Sequence, residues 1–400
     1  MDALRDFLGG EVGYVAVLFA LTVVPRLMLP LRIPAAITAL GLGALAVNWL
    51  ELFEHDDTIR VLATFGIVSL FLLAGLEVEF AELRRGAKVI VAYIVVGIAL
   101  TLGCAALLAS WLHLEARAAV LTALALVTPS TGFILDSLPR FGLTAEETFW
   151  VKAKAIANEM IALLVLFLVM QSSSYTQLAT SSGALLAMLG LIPLAFAGFA
   201  RYIAPRAPNS EFAFLLLVAV ICALGTKALG VYYLVGAFVT GMAARLARSR
   251  MPALSSTTML HSLELFASVF VPFYFFKAGT GLSPDDFSLD ALLLGATFVA
   301  VVLPVRLGLP MLQRRFQLGE ATSASWRISM PLLPTLVFTL VIATILREQF
   351  GASPMLFGAL VIYTLVSTTL PGVLSGTATP SPGAPNDMSL TGPAPGAPTG

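Results

Sequence analysis

Long apolar stretches, separated by short polar segments, follow one another along almost the whole chain. A window of about 19 residues, the length of a helix that crosses the hydrocarbon core, finds thirteen of them. They predict helices over residues 13–30, 34–50, 61–78, 89–112, 118–136, 147–170, 183–200, 212–226, 231–246, 262–280, 288–312, 326–346 and 354–375. A segment in lipid must satisfy its own backbone hydrogen bonds, and these stretches do not alternate like barrel strands. We therefore expect an all-α polytopic membrane protein with about 13 transmembrane helices.

The composition supports the same class of protein. Hydrophobic residues make up 58% of the chain and charged residues only 12%, more apolar material than a soluble core can bury. The formal net charge is zero, so a nucleic-acid partner is not expected. Residues 376–400 are rich in Pro, Gly, Ala, Ser and Thr and predict a disordered tail. The transmembrane domain is therefore expected to occupy residues 1–375.

The loops differ in charge between the two sides of the membrane. One side collects most of the Arg and Lys residues, including Arg84, Arg85 and Lys88, whereas the other carries acidic loops around Glu51 and Asp285. Cytoplasmic loops are enriched in Lys and Arg. The pattern predicts an N-terminus outside and a C-terminus in the cytoplasm.

A short segment recurs along the chain. Phe71-Leu72-Leu73-Ala74-Gly75 returns as Phe275-Phe276-Lys277-Ala278-Gly279, an offset of 204 residues, and the same offset carries Thr131 onto Thr335. The matched spans are seven apart, and an odd number reverses the orientation of a span in the membrane. Two halves of opposite orientation are common in transporters, so the sequence predicts an inverted repeat.

Two equivalent spans, the fifth and the twelfth, contain a proline near mid-depth, Pro129 and Pro334. Proline removes a backbone donor and clashes with the preceding turn, which leaves half-helix ends able to face an ion. We therefore predict two crossed discontinuous helices beside the sixth span. The alternative is that the prolines only kink packed helices.

An acidic residue, Glu159, follows Asn158 deep inside the sixth span. A carboxylate at that depth costs roughly 2.5 to 3.5 kcal/mol, and one that is kept there usually lines an ion or proton path. Hard monovalent cations prefer oxygen ligands, which Glu159, Asn158 and the hydroxyls of Thr128, Ser130 and Thr131 can supply. The alternatives are an interhelical hydrogen bond for Asn158 and back-bonding to their own helix for the hydroxyls.

Three basic residues within the spans, Arg306, Lys277 and Lys154, are candidates for charge compensation on the ion path. Lys154 precedes Glu159 by five residues, about 140° around a helix, so the two should not share a face. The usual spacings of His and Cys metal ligands are absent, and no pattern of nucleophile and base indicates an enzyme. We therefore expect no cofactor and no metal beyond a transported cation.

These residues together resemble the monovalent cation/proton antiporter superfamily, with its sodium/hydrogen exchanger domain, and particularly the bacterial Kef-like and NapA-like branch. The segments that carry the resemblance are Leu70 to Glu77 with Arg84-Arg85, Thr128 to Gly132, Asn158-Glu159, Leu234 to Gly241 and Phe275 to Leu282.

The resemblance implies a core subdomain interleaved with a dimerisation subdomain, a homodimer in the bacterial inner membrane, and elevator-like alternating access. It also implies that Glu159 holds the cation or a proton beside Asn158, and that Arg306 is the basic residue of the eleventh span. Glu159 departs from the family pattern, which usually has aspartate there, and Lys154 and Lys277 are further departures.

The expected function is exchange of a monovalent cation for protons, with cation and proton competing for Glu159 and the exchange serving pH homeostasis. Sodium is the favoured cation and potassium the second candidate. Two alternatives stay open: a sodium-coupled transporter of an organic anion, bound by Lys277 and Arg306, and a Kef-like potassium efflux pathway.

Overall fold

The computed structural model describes residues 10–172, 174–207, 210–247, 257–319 and 322–375, so the predicted disordered tail, 376–400, lies outside the described residues. Within them the chain forms helices and turns but no strand, and we number its thirteen apolar segments α1 to α13. Two segments are divided into halves a and b. The bounds are Glu11–Met28 (α1), Ala35–Asn48 (α2), Asp57–Leu76 (α3), Ala87–Trp111 (α4), Ala116–Val127 (α5a), Thr131–Ser137 (α5b), Ala145–Gln171 (α6), Tyr175–Gly198 (α7), Glu211–Ala228 (α8), Tyr233–Ala247 (α9), Thr257–Thr280 (α10), Leu289–Leu318 (α11), Thr322–Ser329 (α12a), Leu336–Phe350 (α12b) and Pro354–Ser375 (α13).

The thirteen segments are those that the hydropathy pattern predicts. Within the described ranges, eleven helices are long and apolar enough to cross a membrane, counting α5a with α5b and α12a with α12b. The two shorter apolar helices are α2 and α9. The prediction of an all-α protein with about 13 transmembrane helices is confirmed.

The helices pack in two groups. In one group α3 packs against α9 and α10, α10 packs against α2, and α8 packs against α9. In the other group α4 packs on α5, α5 on α12, and α13 on both α11 and α12, with α6 against α4 and α5. Contacts between the two groups are fewer, and α7 touches both through α6 and α9. The spans of each group are therefore drawn from both halves of the chain.

Two helix crossings show the inverted repeat directly. Gly75 of α3 lies on Gly241 of α9, so close that a Cβ atom on Gly75 would stand 3.0 Å from the Gly241 Cα. Gly279 of α10 lies on α2 in the same way, opposite Gly43, and a Cβ atom on Gly279 would stand 3.1 Å from the Ala44 nitrogen. Small residues permit such close backbone approach in membranes. Since Gly279 follows Gly75 by the predicted offset of 204, the inverted repeat is confirmed.

The two broken helices cross at their breaks. Residues 128–130 separate α5a from α5b, and a 3-10 turn, Met330–Leu332, followed by residues 333–335, separates α12a from α12b. The Ser130 backbone N–H donates to the Pro334 carbonyl at 2.8 Å. Thr339 Oγ1 donates to the Ala125 carbonyl at 2.7 Å. Ser130 and Pro334 are themselves 204 residues apart, so the two halves meet at equivalent positions, as crossed discontinuous helices require.

Candidate ion-binding site

The start of α6 is set by local signals. The Thr144 side chain accepts a hydrogen bond from the Glu147 backbone N–H, and the Glu147 side chain accepts one from the Thr144 backbone N–H. Together they form a capping box. Glu146 and Glu147 in the first turn complement the positive end of the helix dipole. From this start α6 runs for 27 residues against α5 and α4 and carries Asn158 and Glu159 into the middle of the second group.

The Glu159 carboxyl group lies where α6 passes the break in α5. Its side chain is buried, with 3% of the residue exposed, and the Thr131 hydroxyl lies beside it. Within the described part of the chain, neither Glu159 Oε2 nor Thr131 Oγ1 completes a hydrogen bond. A buried carboxylate with an unsatisfied oxygen is costly, so this position calls for a proton or a positive charge. The back-bond that was the alternative for Thr131 is not formed.

Asn158 faces α4 instead, because successive residues of a helix differ by about 100°. Its Nδ2 donates to Tyr93 Oη at 2.9 Å, which is the interhelical hydrogen bond that the sequence left open. Its Oδ1 is directed towards Gly97, where a Cβ atom would stand 3.7 Å away. Asn158 and Thr128 line one cavity of about 90 Å³ between α4, α5a, α6 and α11.

The three predicted hydroxyl residues all lie in or at the break of α5. Thr128 is the C-cap of α5a, Ser130 is the N-cap of α5b, and Thr131 is the first residue of α5b. All three are buried. The structure thus brings Thr131 to Glu159 and places Thr128 and Asn158 at one cavity, while Ser130 lies at the crossing of the broken helices, where its backbone contacts Pro334.

Arg306 of α11 binds the carbonyl ends exposed by the breaks. Its Nη2 donates to the Leu332 carbonyl at 2.7 Å, and its Nη1 donates to the Leu333 carbonyl at 2.8 Å and to Tyr363 Oη at 3.1 Å. Tyr363 in turn donates to the Leu126 carbonyl, near the end of α5a, at 2.7 Å. C-terminal helix ends are partially negative. One buried guanidinium group therefore serves the C-terminal ends of α5a and α12a.

The two lysines occupy different places. Lys154 is fully buried one turn before Asn158, and its Nζ lies 4.5 Å from the centre of the Tyr93 ring, a cation–π contact. Lys277 lies near the end of α10, and its Nζ donates to the Glu54 carbonyl at 2.9 Å. The cavity beside Lys277, of about 320 Å³, is lined by none of the other predicted site residues. The structure brings Lys154, but not Lys277, to the predicted site.

Sequence reasoning missed two tyrosines, Tyr93 and Tyr363. Tyr363 follows Glu159 by 204 residues, so the repeat offset alone would have singled it out. Tyr93 had no comparable signal, because its partner Asn158 lies on another helix, 65 residues later in the sequence.

An all-helical membrane protein, built as an inverted repeat with two broken helices that cross beside a buried carboxylate, has the architecture of an ion-coupled secondary transporter. The chain belongs to the sodium/hydrogen exchanger family: the family pattern described as "Sodium/hydrogen exchanger, transmembrane" matches residues 14–378. The family resemblance is therefore confirmed, and the protein is an integral membrane protein.

One curated relative is the Na(+)/H(+) antiporter NhaS5 of Synechocystis sp., which is 23% identical over 336 residues, 80% of this chain and 47% of that protein. This chain thus spans about half of that relative's length. The fold is similar to that of the sodium proton antiporter MjNhaP1 from Methanocaldococcus jannaschii at pH 8, with a TM-score of 0.67 and 16% identity over 92% of this chain and 98% of the other. At this identity the likeness shows the fold alone.

Proposed function

We propose that this protein is a secondary antiporter that exchanges a monovalent cation for protons, with Na⁺ the favoured cation and K⁺ the second candidate. The observation that carries the proposal is the Glu159 carboxyl, buried beside the break of α5 with one oxygen unsatisfied. Membership of the sodium/hydrogen exchanger family supports the same activity.

Glu159 explains exchange through its charge. A bare carboxylate in a low-dielectric site is strongly disfavoured, whereas a protonated or cation-bound carboxyl group is neutral overall. The carboxyl group therefore holds either a proton or a cation and is rarely without both. If only the neutral, loaded site crosses the membrane, each cation that moves one way requires a proton to move the other way.

The surrounding groups suit a hard cation. The Thr131 hydroxyl lies beside Glu159, and Asn158 and Thr128 line the cavity of about 90 Å³ between α4, α5a, α6 and α11. We propose that these oxygens, with the Ser130 hydroxyl and the freed backbone carbonyls, supply the ligands of the cation. Arg306 supplies a permanent charge at the broken helix ends, and we propose Lys154 as a second compensating charge next to Asn158. For Lys277, a role at the outer end of the path agrees with its place beside the larger cavity.

We further propose alternating access, in which the group of α4, α5, α6, α11, α12 and α13 moves against the other group. Polar contacts between the groups support this, because they lie near helix ends where they can be exchanged. Lys152 Nζ lies 3.4 Å from Glu77 Oε2, and Arg347 Nη1 donates to the Gly281 carbonyl at 2.7 Å. In this proposal the stationary group forms a homodimer in a bacterial inner membrane, with the N-terminus outside, and the exchange serves pH homeostasis.

Proton movement in proteoliposomes tests the proposal. The full chain is reconstituted with a pH-sensitive dye inside, and NaCl, KCl or LiCl is added outside. We expect wild-type vesicles to show cation-driven proton movement and Glu159→Gln vesicles to show none. The Gln amide group neither takes up nor releases a proton near neutral pH.

Glu264→Gln is the matched control, because Glu264 also lies in a span but is half-exposed and pairs only with His261 among the ion pairs of the described residues. Its exchange should equal wild type. The Glu159→Gln protein must first elute from a size-exclusion column as wild type does, which shows that it is folded. Exchange by this folded variant at the wild-type rate would exclude Glu159 as the exchanging group.

A further inference from the structure

We infer that Tyr93 is a positioning residue of the cation site: its hydroxyl holds the Asn158 amide group so that the amide oxygen, and not the nitrogen, faces the cavity. This inference rests on the proposed function, since it assigns to Tyr93 a part in binding the exchanged cation. Tyr93 lies on α4, outside the motifs that carry the resemblance to the exchanger family.

The geometry of the amide group supports this assignment. Tyr93 and Gly97 are one turn apart on α4 and lie on either side of the Asn158 side chain, with Tyr93 Oη 2.9 Å from Nδ2 and Gly97 on the side of Oδ1. All three residues line the cavity of about 90 Å³, together with Thr128 and Arg306. The amide nitrogen is therefore engaged by the phenol, and the oxygen is directed to the glycine side.

The absence of a side chain at Gly97 is part of the arrangement. A Cβ atom there would meet only Asn158 Oδ1 within 4 Å, at 3.7 Å. Here the glycine leaves space next to the amide oxygen, where a cation ligand needs it.

The ring of Tyr93 is itself fixed from α6. The Lys154 ammonium group lies over the ring at 4.5 Å, and Lys154 and Asn158 are one turn apart on the same face of α6. Tyr93 therefore contacts Lys154 with its ring and Asn158 with its hydroxyl. The two contacts can be separated experimentally, because phenylalanine keeps the ring and removes only the hydroxyl.

The amide orientation matters because only one end of the group can bind a cation. The carbonyl oxygen is a ligand for Na⁺ or K⁺, whereas the NH₂ group is a donor and repels a cation. Without the Tyr93 hydroxyl the amide group is free to rotate, and the ligand oxygen is lost part of the time. Proton binding at Glu159 should be left intact, because the Glu159 carboxyl group keeps Thr131 beside it and the substitution removes only the hydroxyl that contacts Asn158.

Tyr93→Phe in the reconstituted full chain tests this role. We expect the apparent KM for Na⁺ to rise about tenfold, the effect of losing roughly one hydrogen bond, while the maximal rate stays within about twofold. Tyr202→Phe removes a phenol from an exposed position and should leave both values unchanged. An unchanged KM in Tyr93→Phe would overturn the inference.

A double-mutant cycle shows whether Tyr93 acts through Asn158. We expect Asn158→Ala to raise the KM for Na⁺, and Tyr93→Phe to add nothing further in that background. Additive effects of the two substitutions would mean that Tyr93 acts by another route and would also overturn the inference.

Two further measurements keep the test decisive. If Tyr93→Phe does not fold, Gly97→Ala probes the same amide from its other side, and its KM for Na⁺ should rise at least about threefold, since the methyl group takes space beside Oδ1. An unchanged KM there would contradict the orientation of Oδ1. Loss of all exchange in wild type would instead refute the proposed function, so the two failures are distinguishable.

Discussion

The two halves of the repeat share one backbone plan but differ in the chemistry at equivalent positions. In the first half, α6 places Glu159 beside the break of α5. In the second half the equivalent residue, 204 positions later, is Tyr363 of α13, whose hydroxyl accepts from Arg306 and donates to the Leu126 carbonyl near the end of α5a. The first half therefore places a buried carboxyl group at this position, and the second places a phenol that contacts a buried arginine.

This difference shows how a symmetric scaffold can hold an asymmetric site. The crossing of the breaks leaves partially negative carbonyl ends in both halves, and one guanidinium group reaches those of α12a directly and that of α5a through Tyr363. A guanidinium group carries a permanent positive charge, which suits partially negative carbonyl ends. In the proposed exchange, the carboxyl group of the other half is the group whose charge changes.

The largest effect is expected from removing the permanent charge. Arg306→Gln leaves buried carbonyl groups without their donor, and we expect it to lower the free energy of unfolding by about 2 to 4 kcal/mol, since each unsatisfied buried acceptor costs about 1 to 3 kcal/mol. Thermal unfolding of the purified protein in detergent measures this loss.

Arg306→Lys is the matched variant for the same contact. It keeps the charge but lacks the planar fork that reaches the Leu332 and Leu333 carbonyls together, so an intermediate stability is expected. Equal stability of Arg306→Gln and wild type would show that the carbonyl ends are satisfied without this residue.

An intermediate loss of stability is expected from two substitutions that test whether the two halves pack equivalently. Gly75→Ala and Gly279→Ala each place a methyl group against the backbone of the crossing helix, and each should destabilise the protein by about 1 to 3 kcal/mol. Gly103→Ala is the control, because no atom outside its own helix backbone lies near that position, and it should be neutral or slightly stabilising. Similar losses at Gly75 and Gly279 would support the equivalence, and a loss at only one of them would break it.

The smallest effect is expected at the position equivalent to Glu159. Tyr363→Phe removes the hydrogen bond to the Leu126 carbonyl and the contact with Arg306, and should cost about 1 kcal/mol of unfolding free energy. Exchange should persist, because the phenol holds fixed helix ends and carries no transported ion. Complete loss of exchange in folded Tyr363→Phe protein would place Tyr363 in the ion path. It would contradict the proposal that the exchanging group lies in the first half alone.

Most of the fold was open to prediction because the signals are local. Each span was found from its own run of apolar residues, and Pro129 and Pro334 marked both breaks. The repeat offset, read from the Phe71 and Phe275 segments, predicted which spans are equivalent, and the crossings at Gly75 and Gly279 confirm it.

The site was predicted only in part, for a physical reason. Asn158, Glu159 and the hydroxyl residues of α5 stand out as polar groups in apolar spans, but their partners depend on how helices rotate and cross. The sequence did not predict that Asn158 contacts Tyr93, or that Lys277 lies at a cavity apart from the other site residues.

The sequence by itself therefore determined that this is a polytopic helical membrane protein with an inverted repeat and one deep Asn–Glu pair. Those properties follow from hydropathy and covalent order, which act along the chain. Only the tertiary structure decided that Arg306 binds the carbonyl ends of the breaks, that Asn158 donates a hydrogen bond to Tyr93, and that Ser130 meets Pro334. These contacts join residues far apart in the chain, and packing between helices sets them.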